Sequence, residues 1–228
     1  MWRCLNVWPF WRDGAELARY CLHGRDGTGS AAPEAAFAEA GVAIDLVDVP
    51  RDPSAAEAAG LLKVNPRGQV PALLLPDGTA IAEGTAILLH IADAFPDAHL
   101  APGPGSFARA HHDRWLSFLQ ANIYEGELRH YYAGRYTDDP DGAEAVRRAA
   151  VAYVRRHYLL LEAAITPGPY VFGADLTVLD LYIWNLVEWT DRAWLAAHCP
   201  KVNALADKVA SRPAVAPLHA RHFAEGSA

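Results

Sequence analysis

An eleven-residue segment, residues 95–105 (FPDAHLAPGPG), splits the chain into two parts that follow different hydrophobic periods. It carries three prolines and two glycines, a density that breaks helix and strand alike. Upstream, short aliphatic runs alternate with Ala-rich stretches. The pattern predicts strands over 17–23, 44–49, 70–75 and 79–82, and helices over 31–40, 54–63 and 84–94. Gly41 follows the first helix as a residue suited to the position past a helix C-terminus. Pro76-Asp77-Gly78 closes a hairpin between the last two strands. Downstream the pattern is helical throughout. A long helix is predicted over 106–135, with His111, Trp115, Phe118, Leu119 and Asn122 along one stripe. A second runs from 143, where Val146, Ala149, Tyr153, Val154, His157, Leu160, Leu161 and Ala164 recur at three- and four-residue steps. A third opens at Val178, and shorter ones follow near 192–197 and 202–211. The fold class is therefore α/β plus all-α. The expected division is an N-terminal extension over 1–17, an α/β domain over 18–95, a linker over 96–105 and an all-helical domain over 106–228.

Composition excludes several classes of function. With 228 residues, 52% of them hydrophobic and 21% charged, the chain can bury a core and is neither disordered nor fibrous. The net charge of −7 comes without any Lys/Arg block, so no nucleic-acid partner is expected. Cys4, Cys21 and Cys199 form no CxxC, and the ten histidines form no HExxH. The adjacent His111-His112 and the i,i+3 pair His219/His222 are not a metal signature, so no metal is expected. Free thiols point to a reducing compartment and a cytoplasmic location. No apolar run reaches the roughly 18 residues of a membrane helix, so no membrane partner is expected. The opening MWRCLNVWPFWRDGAEL holds Trp2, Trp8 and Trp11, three of the seven tryptophans. It is read as an extension before the first strand, not as a cleaved leader.

Three motifs stand out, two of them chemical. In Asn65-Pro66-Arg67-Gly68-Gln69-Val70-Pro71, a proline stands where a strand begins and cannot donate a ladder hydrogen bond. A cis Val70-Pro71 bond would leave the Val70 N–H and C=O turned outward to pair with an extended peptide, the alternative being an edge-strand proline without function; together with the resemblance given below, the position predicts the cis form. In Glu83-Gly84-Thr85, a helix begins with free N–H groups beside an acidic side chain. Carboxylate and ammonium partners thus stand together, as an amino-acid head group requires. In Leu176-Thr177-Val178-Leu179-Asp180-Leu181, Thr177 and Asp180 read as a capping box, with Leu176 and Leu181 as a hydrophobic staple. This third motif is structural.

In this order and spacing, the motifs resemble those of the cytosolic glutathione S-transferases, nearest the bacterial beta class, over roughly residues 18–212. The resemblance implies a thioredoxin-like N-terminal domain and a helical C-terminal domain that usually form a homodimer, with the 84–94 helix packed on the partner's long helix. It implies glutathione as co-substrate, held by Gly29, Gln69, Val70, Pro71, Glu83, Gly84 and Thr85. Two positions depart from the family pattern. Gly84 stands where the family has serine, and Gly29 stands at the beta-class cysteine position in Gly27-Thr28-Gly29-Ser30. The expected thiol-activating group is then Ser30, with Thr28 second and the backbone N–H of Gly29 or Ser30 third. Trp115, Phe118, Asn122 and Tyr124 are expected to line the electrophile pocket. The implied reaction is attack of the glutathione thiolate on a small hydrophobic electrophile. The alternatives are a glutathione-dependent isomerase, peroxidase or ether-cleaving lyase, and a non-catalytic binding scaffold.

Overall fold

The computed structural model describes residues 19–52 and 56–223. Trp2, Trp8, Trp11, Cys4 and the first residues of the predicted 17–23 strand lie outside the described residues. The N-terminal part forms a four-stranded sheet from β1 (Cys21–Gly24), β2 (Asp45–Asp48), β3 (Ala72–Leu74) and β4 (Ala80–Ala82), with α1 (Ala31–Glu39), α2 (Ala56–Val64) and α3 (Gly84–Ala94). The strand order is β2-β1-β3-β4. β1 runs parallel to β2 and antiparallel to β3, and β3 and β4 form the expected hairpin. This is the thioredoxin-like arrangement. The third strand starts at Ala72 instead of residue 70, because the ladder begins only past Pro71.

α1 packs on α3 on one side and on the helical part on the other. Its buried face is Ala31, Ala32, Ala35 and Ala36 with Phe37, and these small side chains allow close approach on both sides. Gly41, at φ +69°, ends it as expected.

The helical part comprises α4 (Phe107–Phe118), α5 (Glu125–Tyr131), α6 (Ala143–Ala164), α7 (Val178–Val187), α8 (Arg192–His198), α9 (Pro200–Ala210) and α10 (Ala216–His222). Here the structure corrects two expectations. The long helix over 106–135 is broken by a π-helical segment, Leu119–Tyr124, and ends in a 3-10 turn, Ala133–Tyr136. α10 is not among the predicted helices; Pro217 in its first turn suits a helix start, but the three-residue gap after Pro213 hides it. α7 is buried on all sides, as a helix apolar around its whole circumference must be.

The segment 95–105 is pinned at one point. Leu100 is buried, and its carbonyl accepts from the Val178 N–H at 2.8 Å, satisfying a first-turn donor of α7. The capping box at Thr177 is present. Asp180 is its centre: the Thr177 N–H (2.7 Å) and hydroxyl (2.8 Å) both donate to Oδ2, and the Val171 N–H donates to Oδ1 at 2.8 Å. Burial pushes the Asp180 carboxyl up to about 6, against the pull of these hydrogen bonds. Leu176 and Leu181 both sit in the main core cluster.

Three arginines of the helical part reach carboxylates of the α/β part. Arg109 chelates Asp93 at the end of α3, Arg212 chelates Glu39 at the end of α1, and Arg221 joins Asp26 and Glu34. These charge-assisted contacts hold the two parts in one register, with the cleft between them.

Candidate active site

The first wall of the cleft is the turn before β3. Asn65, buried at the end of α2, organises it. Its Nδ2 donates to the Gln69 carbonyl at 2.7 Å, and its Oδ1 accepts from the Arg67 N–H at 3.2 Å. Gly68 takes φ +63°, a conformation that favours glycine. The Val70-Pro71 bond is cis. The ladder starts at Ala72, and no hydrogen bond among the described residues takes up the Val70 N–H or carbonyl. A sheet edge with one donor and one acceptor is left open.

The second wall is the start of α3. Glu83 precedes it at φ +70°, a strained region for a residue with a side chain. Its carboxylate meets the Arg67 guanidinium at 2.6 Å. Both side chains are half exposed or more, so the pair contributes little stability and leaves the charges open to a ligand. Gly84 contributes an unpaired first-turn amide. A Cβ placed on Gly84 would lie 3.9 Å from Pro71 Cγ, an ordinary contact, so space does not demand glycine there.

The third wall is the loop Arg25–Ser30, and it overturns the expected role of two hydroxyls. Ser30 is fully buried. Its Oγ accepts from the Arg25 N–H at 3.1 Å and donates to the Arg25 carbonyl at 2.9 Å. The Thr28 hydroxyl donates to the same carbonyl at 2.7 Å and lies 2.9 Å from Ser30 Oγ. Both hydroxyls are spent on closing the loop, and neither lines the cleft. Gly29 does line it. No acceptor among the described residues takes the Gly29 N–H. A Cβ on Gly29 would lie 3.4 Å from Pro71 Cδ and from Tyr124 Cε2, and 3.7 Å from the Tyr124 oxygen.

The fourth wall is helical: Gln120, Tyr124, Glu125, Leu128 and Tyr182. The π segment decides which residues these are, because its wider turn shifts the register of the helix beyond it. Trp115, Phe118 and Asn122 do not reach the cleft. Trp115 is core and meets Phe118 edge-on at 4.9 Å. Phe118 packs on His157, and Asn122 accepts from the Tyr153 hydroxyl at 2.6 Å, so this stripe faces α6. Thr85 also lies outside the lining. Of the four expected pocket residues, Tyr124 alone is in the cleft. Burial, with the nearby Glu83 and Glu125 charges, pushes its hydroxyl up to about 12, so it stays protonated and acts as a donor. Tyr182 is likewise raised well above its ordinary value by burial, and its hydroxyl donates to Gln120.

The cleft is open to solvent. It brings together Gly29, Gln69, Val70, Pro71, Glu83, Gly84 and Tyr124 from the sequence-based set. Sequence reasoning missed Asn65, Gln120, Glu125, Leu128 and Tyr182. Asn65 had a signal, since Asn followed by Pro and a Gly three residues on is turn chemistry. The helical residues had none short of knowing the π segment. No cluster of three or more His, Cys, Asp or Glu that can hold a metal exists among the described residues. Nor does any helix there have the length and apolarity to cross a membrane.

Comparison with known proteins agrees with this fold. Residues 33–94 match the glutathione S-transferase N-terminal domain, and residues 126–220 match the C-terminal domain. The GST-like protein YncG of Escherichia coli K12 is 31% identical over 84% of this chain and 93% of its own. A beta-class glutathione S-transferase from Sphingomonas chungbukensis superposes with a TM-score of 0.74 at 31% identity, covering 91% of this chain and all of that one (100%). A glutathione transferase homologue from Sulfitobacter, solved with bound glutathione, superposes with a TM-score of 0.79 at 26% identity, covering 90% of this chain and 99% of that one. With both family domains matched in order and bacterial relatives aligned along nearly its whole length, the chain belongs to the glutathione S-transferase family.

Proposed function

We propose that the protein is a glutathione transferase whose thiol site is built from the Gly29 backbone amide and the Tyr124 hydroxyl. The observation that carries the reading is the gathering, in one cleft, of the open Val70 backbone edge, the Glu83 carboxylate and the first-turn amide of α3. The Val70 N–H and C=O pair with the cysteinyl backbone of glutathione. Glu83 takes the α-ammonium of the γ-glutamyl end, and the Gly84 amide takes its carboxylate. The thiol then lies near Gly29. The thiol proton leaves to solvent, the sulfur lone pair forms a bond to the electrophilic carbon, and the leaving group departs with its electron pair. The Gly29 N–H and Tyr124 O–H stabilise the thiolate, and Leu128 and the Tyr124 ring supply apolar surface for a small hydrophobic electrophile.

A free cysteine thiol titrates near ~8.5. A hydrogen bond to a charged acceptor contributes ~1.5–3 kcal/mol, or about one to two pH units. The test is ultraviolet titration of the thiolate in the glutathione complex, with affinity from calorimetry. Wild type should show a bound thiol titrating well below the free value, and Tyr124→Phe should raise it by about one unit. No binding of glutathione would overturn the reading in favour of a non-catalytic scaffold. Binding with an active thiol but no conjugation across an electrophile panel would favour an isomerase, peroxidase or lyase.

A further inference from the structure

The loop Arg25–Ser30 is closed at its ends by its own hydroxyls, but its tip is held from the other part of the molecule. The Gly27 carbonyl accepts from the Trp189 indole N–H at 3.2 Å, just past α7. The Gly27 N–H donates to His222 Nδ1 at 3.3 Å, on the last residue of α10. Both backbone groups of one glycine, at φ +71°, are therefore taken by side chains far along the chain. His222 is buried, with 1% of its surface exposed. Its Nε2 lies 3.0 Å from Glu34 Oε2 on the first turn of α1 and 2.9 Å from an Arg221 guanidinium nitrogen, and its Nδ1 also lies 3.5 Å from Asp26 Oδ1. Arg221 reaches the same carboxylate oxygen and also holds Asp26 at 3.0 Å. Burial pushes the Glu34 carboxyl up, and the hydrogen bonds from His222 and Arg221 outweigh it and hold it below its ordinary value. Trp189 also packs on Tyr124, with ring centroids 5.7 Å apart. One indole thus packs on Tyr124 and bonds Gly27, two residues before Gly29.

We propose that His222 and Trp189 are positioning residues of the thiol site, fixing the Gly27 peptide so that the Gly29 N–H faces the cleft. This rests on the proposed glutathione transferase function. On this view α10, the last described helix, belongs to the active site although none of its residues lines the cleft.

The experiment compares His222→Gln, His222→Asn and Trp189→Phe in the full chain. Glutamine places its amide near the former Nε2 and keeps a donor for Glu34, but offers Gly27 no acceptor. Asparagine places its amide near the former Nδ1 and keeps that acceptor. The readouts are amide exchange at Gly27, the thiolate titration of bound glutathione, and kcat against KM. His222→Gln and Trp189→Phe should each speed exchange at the Gly27 amide by roughly tenfold, as loss of one hydrogen bond implies. Each should raise the bound-thiol titration by about half a unit or more and lower kcat, with KM for glutathione changed less than about twofold. His222→Asn should stay close to wild type in all three. Equal effects of the glutamine and asparagine variants, or wild-type exchange and titration in His222→Gln and Trp189→Phe, would overturn the proposal. The two sites lie on different parts of the chain, so a His222 variant that fails to fold leaves Trp189→Phe to decide. If wild type activates the glutathione thiol and the variants do so equally, only this inference falls. If wild type does not bind glutathione, the proposed function falls and takes this inference with it.

Discussion

Glu127 is a buried carboxyl in a helix junction, and replacing it with glutamine should stabilise the protein in a pH-dependent way. It lies on α5, between the cleft residues Glu125 and Leu128, with 4% of its surface exposed. The Thr190 hydroxyl donates to its Oε1 at 2.7 Å, and Thr190 directly follows Trp189. Burial pushes the carboxyl up from 4.5 to about 7, against the pull of the Thr190 hydrogen bond. Between those two values the folded state holds a proton that the unfolded chain has lost. Stability therefore falls as pH rises through the interval and stays low above about 7. At about 1.4 kcal/mol per pH unit, the interval amounts to about 3 kcal/mol at pH 8. A glutamine side chain keeps an oxygen for Thr190 and never ionises. Glu127→Gln should match wild type near pH 4.5 and exceed it by about 3 kcal/mol at pH 8, or roughly 6–12 °C in Tm for a chain of this size. Urea unfolding of both proteins at several pH values measures the difference, and contributions from Asp180 and other groups cancel in it. A difference that is flat with pH, or that shrinks as pH rises, would refute the reasoning.

Other outcomes follow from the cleft and the core. Glu83→Gln should raise the glutathione dissociation constant by roughly 10- to 150-fold, the loss of a charge-assisted contact of ~1.5–3 kcal/mol; an unchanged constant in calorimetry would reduce Glu83 to a partner for Arg67. Gly84→Ser has room for its Cβ, and the added hydroxyl should lower that constant by roughly 2- to 12-fold through one new hydrogen bond; weaker binding would show that the γ-glutamyl end sits elsewhere. Thr177→Ala should cost ~0.5–2 kcal/mol. Asp180→Ala should cost more, about 2–6 kcal/mol, because it strands two backbone N–H groups at ~1–3 kcal/mol each; equal melting temperatures for the two variants would contradict the hydrogen-bond geometry.

The α/β order, the hairpin, the start of α3 at Gly84 and the capping box at Thr177 were all legible in the sequence. Each is a local matter: a hydrophobic period, a proline or glycine that only certain backbones accept, a side chain reaching its own helix end. The cleft positions 69–71 and 83–84 were legible for the same reason, since backbone groups freed by Pro71 and by a helix start depend on nearby residues alone. The proposed thiol site was not. Ser30 and Thr28 looked available because a sequence does not show which hydroxyls a tight loop consumes, and both are consumed at Arg25. Trp115 and Phe118 precede the π turn on a face of α4 that packs into the core and on α6, a choice made by tertiary packing, and Leu119–Tyr124 then turns more widely and moves Tyr124 to the cleft wall. The sequence by itself determined the order of the α/β elements, because these follow from short-range periodicity and stereochemistry, and its motifs carried the family resemblance. Only the tertiary structure decided that Tyr124 meets Gly29, and that Trp189 and His222 hold Gly27. Those contacts join residues 95 to 195 positions apart, and packing between the two parts of the molecule, not any local pattern, selects them.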